Sequence, residues 1–222
     1  MLNNQQAARR GFILDMDQAA SLQASRAVKL AIGDALIIVD IQNDFLPGGA
    51  LGVRNGDEII AVINQYVRLF ARRGLPIYFT RDWHPPDHCS FPEQGGPWPV
   101  HCVAGTHGAA FADSLQMPAD ATIISKATNA AKEAYSTFEG TDLAQQLGQR
   151  SVRRVFIGGL ATDYCVVNSV KDAHRLGLTT FVLEDAIRAV DVHPGDGEAA
   201  CETMRQHAAR FVRLRDLEEA QT

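Results

Sequence analysis

Along the chain, short runs of wholly apolar residues alternate with longer stretches whose apolar positions recur at helical spacing. Ala35-Leu-Ile-Ile-Val-Asp40 is five apolar residues closed by an acid. A partly β-branched run of that length, with no polar alternation, predicts a strand covered on both faces. Glu58 to Arg73 carries the helical pattern and meets a stop at Gly74. Further strands are predicted at Pro76–Thr80, Thr122–Lys126, Arg154–Gly159, Thr179–Glu184 and Arg210–Leu214, with helices over 142–150, 162–176 and 196–209 between them. Strands alternating with helices imply βαβ units with right-handed crossovers. The expected fold is therefore a single α/β domain over 34–216: an open parallel six-stranded sheet with helices on both faces, a Rossmann-like three-layer sandwich. Residues 1–33 form an extension with one amphipathic helical stretch, Asp17 to Lys29, which could pack on the domain or on a neighbouring subunit of a homo-oligomer. Residues 217–222 are a short tail.

Composition narrows the setting. A chain of 222 residues with 46% hydrophobic and 21% charged content can bury one full core. A formal charge of -5 argues against nucleic acid or an anionic membrane as the main partner. No apolar run approaches the ~20 residues that span a bilayer. Gly11-Phe12-Ile13-Leu14 is cut short by Asp15 and Asp17, so it makes no secretory core. Cys89, Cys102, Cys165 and Cys201 form no C-x-x-C pair, and a domain of this size needs no disulfide staples. A cytoplasmic protein with reduced thiols is expected.

Ligands of open α/β sheets bind beyond the carboxyl ends of the strands. Those ends carry Asp40, then Asp82 and His84, then Lys126, then the Gly158-to-Cys165 turn. An acid, an Asp/His pair, a lysine and a cysteine on one edge point to catalysis. With Thr162 or Asp163 as N-cap, Cys165 falls in a first helical turn, where the macrodipole favours thiolate. A nearby carboxylate and ammonium would complete an activated nucleophile. A buried core cysteine, flanked by Val166, Val167 and Val170, is an equal reading of the local sequence.

Segment 81–108 holds five prolines, both tryptophans and four of the seven histidines: His84, His88, His101 and His107. A loop that long inside a compact domain is usually functional. Asp82 and His84, one residue apart, project to the same side of an extended segment and suit one ion. His101 could complete a three-ligand site, with His88 or water in the fourth position. Zn, Fe and Mn all accept such ligands, zinc being the first choice. Phe45, Trp98 and Tyr135 sit in the same loops, where they could sandwich a flat ring or simply anchor the backbone.

The strings V39-D-I-Q-N-D-F45, D82-W-H84, W98-P-V-H-C102, K126, A134-Y-S-T-F-E-G140 and G159-L-A-T-D-Y-C165 resemble the nicotinamidase/pyrazinamidase branch of the isochorismatase-like hydrolases. That resemblance, running from about Ala35 to Val212, implies Asp40 as base, Lys126 as charge partner and Cys165 as nucleophile. It implies a divalent metal on Asp82, His84 and His101, with His88 as fourth ligand or as a support behind the others. It also implies a cis bond at Leu160–Ala161 that turns the amides of Ala161 and Cys165 into an oxyanion hole. The implied reaction is hydrolysis of nicotinamide, and of pyrazinamide, to the acid and ammonia in NAD salvage. The ring would rest among Phe45, Trp98 and Tyr135 with its nitrogen on the metal. A different small amide is the alternative substrate. Tyr164 departs from the histidine often found before the nucleophile.

Overall fold

The computed structural model describes residues 27–218, which fall into two units. In the smaller, β1 (Val28–Lys29) pairs in parallel with β8 (Leu217–Glu218). The expected helix over Asp17–Lys29 lies outside the described residues as far as Arg26. At its C-terminal end the expectation fails, because Val28 and Lys29 take up main-chain bonds as a strand.

The larger unit, Ala31–Leu214, is built on a six-stranded parallel sheet. Its strands are β2 (Asp34–Val39), β3 (Ile77–Asp82), β4 (Thr122–Lys126), β5 (Arg154–Leu160), β6 (Thr179–Arg188) and β7 (Arg210–Val212). The order across the sheet is β4-β3-β2-β5-β6-β7. The winding thus reverses between β2 and β5, and the carboxyl ends of these two central strands flank the crevice.

All six residues of β2 are buried, the five of its apolar run as predicted and Asp34 with them. Alternate residues serve opposite layers. Ala35, Ile37 and Val39 join Val155, Ile157 and Val182 beneath α2 (Leu143–Gln149), α3 (Val167–Arg175) and α4 (Asp196–Gln206). On the other face α1 (Ile60–Arg72) brings Phe70 edge-on to Phe156, with ring centroids 5.3 Å apart. Each element lies within five residues of its predicted place. The largest differences are α3, which begins at Val167 instead of 162, β6, which runs four residues further, and α4, which stops at Gln206 instead of 209.

At the switch point the strands approach closely. Gly159 pairs with Val39 and adopts φ +129°, and a Cβ there would overlap the carbonyl oxygen of Val39. Gly159→Ala is therefore expected to cost about 3 kcal/mol or more of stability, read from denaturant unfolding. A cost below about 1 kcal/mol would contradict this account of the β2–β5 approach.

Candidate active site

Four strand ends and two loops build the crevice. Asp40, one residue beyond β2, is fully buried with φ 51°. Holding a non-glycine residue there costs about 1 kcal/mol or more, a strain typical of functional positions. The Thr80 hydroxyl donates to Asp40 Oδ1 at 2.6 Å, and Lys126 Nζ stands 3.0 Å from Oδ2. In the register of β3 with β4, Asp82 is the direct partner of Lys126, and the ammonium also donates to Asp82 Oδ1. The same Nζ lies 3.4 Å from Cys165 Sγ and 3.3 Å from the Ala134 carbonyl oxygen.

One buried ammonium is therefore ringed by two carboxylates, a thiol and a carbonyl. Burial would lower the Lys126 pKa, but Asp40, Asp82 and Cys165 outweigh it and hold the ammonium well above its usual range. Burial raises Asp40, with Lys126 pulling the other way. Burial likewise raises the Cys165 thiol well above the ordinary range, against the pull of Lys126. A sulfur enclosed beside two acids keeps its proton until a base takes it, although its first-turn position favours thiolate.

The peptide after β5 is cis at Leu160–Ala161, as the resemblance implied. The next five residues, Thr162–Val166, form a π turn before α3. Neither Thr162 nor Asp163 caps it with a side chain. Asp163 instead accepts from the amides of Val190 and Asp191, at 3.0 and 2.9 Å. The Ala161 carbonyl takes the amides of Tyr164 and Val166, and the wide turn carries Cys165 to the crevice.

Asp82, His84 and His101 each offer a ligand atom, all within 4.8 Å of one another. His84 joins the loop of its partner through its amide on the Cys102 carbonyl and its own carbonyl on the Ala104 amide. Its Nδ1 is 3.3 Å from the Ala127 carbonyl, and His101 Nδ1 is 2.7 Å from that of Pro99. With Nδ1–H donating in both, each Nε2 is left unprotonated. His84 Nε2 is buried without a hydrogen bond. Burial, then His101, His88 and Lys126, push His84 down to about 3, the neutral form a ligand needs. An orphaned buried nitrogen beside a second imidazole and a carboxylate fits a divalent cation.

His88 stands behind this group. Its ring lies 4.2 Å from that of His84, but Nδ1 faces Ser90 Oγ at 2.7 Å and Nε2 faces the Lys132 carbonyl at 3.2 Å. Both of its ring nitrogens thus face other partners, and His88 is not among the three clustered ligand atoms. His107 is exposed and faces Asn43.

A cleft of about 460 Å³ opens onto these groups, and Phe45, Trp98 and Tyr135 all line it. Trp98 Nε1–H donates to Tyr135 Oη at 2.8 Å, and Tyr164 meets Trp98 edge-on at 5.0 Å. Sequence reasoning missed the polar supports. Gln42 accepts the Asp82 amide at 2.8 Å and donates to the Asp82 and Ala109 carbonyls, while Asp44 accepts the Cys102 amide at 2.7 Å. Both lie in the stretch after Asp40 that carries Phe45, and that clustering was the available signal. Glu133 and Val190, also lining the cleft, left none.

A thiol, an acid and an ammonium meeting where a parallel sheet reverses its winding place the chain among hydrolases built on an open α/β sheet. Residues 34–218 match the isochorismatase domain, and the chain belongs to that family. It is 41% identical over 186 residues to the nicotinamidase/pyrazinamidase of Mycobacterium tuberculosis, covering 80% of this chain and 97% of that one. The pyrazinamidase of Pyrococcus horikoshii, solved in complex with zinc, superposes with a TM-score of 0.79 at 50% identity, covering 82% of this chain and 99% of the other. PnC1 from L. infantum in complex with nicotinate superposes with a TM-score of 0.81 at 34% identity, covering 86% and 98%. Among the described residues no helix is long and apolar enough to cross a membrane.

Proposed function

We infer that the chain is a nicotinamidase, hydrolysing nicotinamide, and pyrazinamide with it, to the carboxylic acid and ammonia in NAD salvage. The observation that carries this reading is the buried Lys126, which forms ion pairs with Asp40 and Asp82 and so joins a nucleophile site to a metal-type site in one cleft. A reducing cytosolic setting belongs to the reading, supported by four free cysteines.

Asp40, raised by burial, is the base that takes the Cys165 proton as sulfur attacks the carboxamide carbon. Lys126 stays charged throughout and balances the negative charge passing between carboxylate and sulfur. The amides of Ala161 and Cys165 receive the developing oxyanion, each such donor supplying about 3 kcal/mol in the transition state. Asp40 then gives its proton to the departing nitrogen, ammonia leaves, and a thioester remains on Cys165. Asp40 deprotonates the water that cleaves the thioester, releasing the acid and restoring the thiol.

Asp82, His84 and His101 would hold one divalent ion, assigned as zinc from this ligand set and the zinc-bound relative. When bound, that ion would supply a Lewis acid for the ring nitrogen of a pyridine or pyrazine carboxamide. Phe45 and the Trp98–Tyr135 pair then fix the plane of the ring. Ammonia release from nicotinamide by metal-loaded protein tests the function, and no release above the uncatalysed rate rejects it. Metal analysis tests the site separately. One ion per chain is expected in wild type and in His88→Ala, and a loss of most bound metal in His84→Ala. Full loading of His84→Ala would refute the ligand set.

A further inference from the structure

The segment between β4 and Tyr135 presents one acid to the cleft, Glu133. Its backbone is held from both sides by buried groups of the site. The Lys132 carbonyl lies 3.2 Å from His88 Nε2, and the Ala134 carbonyl lies 3.3 Å from Lys126 Nζ. The side chain is turned back on its own loop, Glu133 Oε1 accepting the Ala134 amide at 3.0 Å. The adjacent cation is engaged elsewhere, Lys132 Nζ standing 3.6 Å from Glu139.

No lysine or arginine lines the cleft among the described residues. The deep cation Lys126 is already shared by Asp40 and Asp82. A neutral carboxamide enters such a wall without Coulombic cost. The carboxylate formed from it is repelled by Glu133 in a partly dry cleft, where charges interact several-fold more strongly than in water.

We propose that Glu133 is a specificity-determining residue that discriminates by charge between the neutral amide substrate and the anionic acid product, weakening retention of the product. This rests on the nicotinamidase reading and adds to it a cause for turnover without product accumulation. The fixed loop makes the effect one of position: the Ala134 amide holds the carboxylate beside the cleft.

The test is calorimetric titration of metal-loaded protein with nicotinate and with 3-methylpyridine, a neutral ring of similar shape. Glu133→Gln keeps the shape and the acceptor for the Ala134 amide, and Glu133→Asp keeps the charge. In Glu133→Gln, nicotinate is expected to gain about five- to tenfold in affinity relative to 3-methylpyridine. Glu133→Asp is expected to keep most of the wild-type discrimination. An unchanged ratio in Glu133→Gln, or an equal gain in both variants, overturns the proposal. If wild type hydrolyses nicotinamide and the ratio is unchanged, this proposal alone falls. If metal-loaded wild type releases no ammonia from nicotinamide, the nicotinamidase reading falls and takes it along.

Discussion

Replacing Cys165 by alanine is expected to lower kcat for nicotinamide by about 10⁴-fold or more while leaving the fold intact. The sulfur is the one atom of the cleft that combines nucleophilicity with a base at hand. It lies within 4.8 Å of carboxylate oxygens of Asp40 and Asp82 and 3.4 Å from Lys126 Nζ. Its resting state is the thiol, because burial raises it. Removing it therefore strands no charge, and Lys126 keeps both acids paired. The cost to stability is that of one small buried group, about 1 kcal/mol. Acid-quenched wild type should carry a nicotinoyl group on the peptide containing Cys165, and the variant none. Turnover within tenfold of wild type would reject the cysteine mechanism. A hydrolase acting through metal-bound hydroxide, insensitive to thiol alkylation, would then replace it.

The strand-end chemistry was legible because a parallel strand buried on both faces has to be an apolar run, and such runs end visibly. Asp40, Asp82, Lys126 and Cys165 could therefore be placed on one edge without a structure. Whether His88 is a fourth ligand could not be read from spacing. Its two ring nitrogens face Ser90 Oγ and the Lys132 carbonyl, partners that only the folded loop brings to it. Thr80, Gln42 and Asp44 stayed hidden for a related reason. Their partners lie 40 to 67 residues away, and a polar residue carries no local mark of a distant bond. The raised thiol was not legible because helix position suggests a favourable dipole, whereas enclosure of the sulfur is a property of the packed crevice. The Thr162 or Asp163 cap failed similarly, as the turn widens to a π turn and Asp163 reaches across to Val190 and Asp191.

The second large effect is expected from Lys126→Met. Methionine fills much of the stem volume but leaves Asp40, fully buried, and Asp82 without their shared cation. Deleting one partner of a buried charged pair costs about 3–5 kcal/mol, so much of the stability of the domain should go along with the activity. The pH dependence has a definite sign. Burial already raises Asp40 above its ordinary 3.8 while Lys126 pulls it down, so losing Lys126 raises it further. A carboxyl raised in the folded state stabilises while protonated, below its unfolded value, and that contribution is lost as pH rises through the folded value. In chelator-treated protein the gap in unfolding free energy between wild type and Lys126→Met should therefore be smaller near pH 5 than near pH 8. Urea unfolding at both values measures it. A gap that is constant with pH, or largest in acid, would mean that Lys126 acts by packing and that Asp40 is not held by its charge.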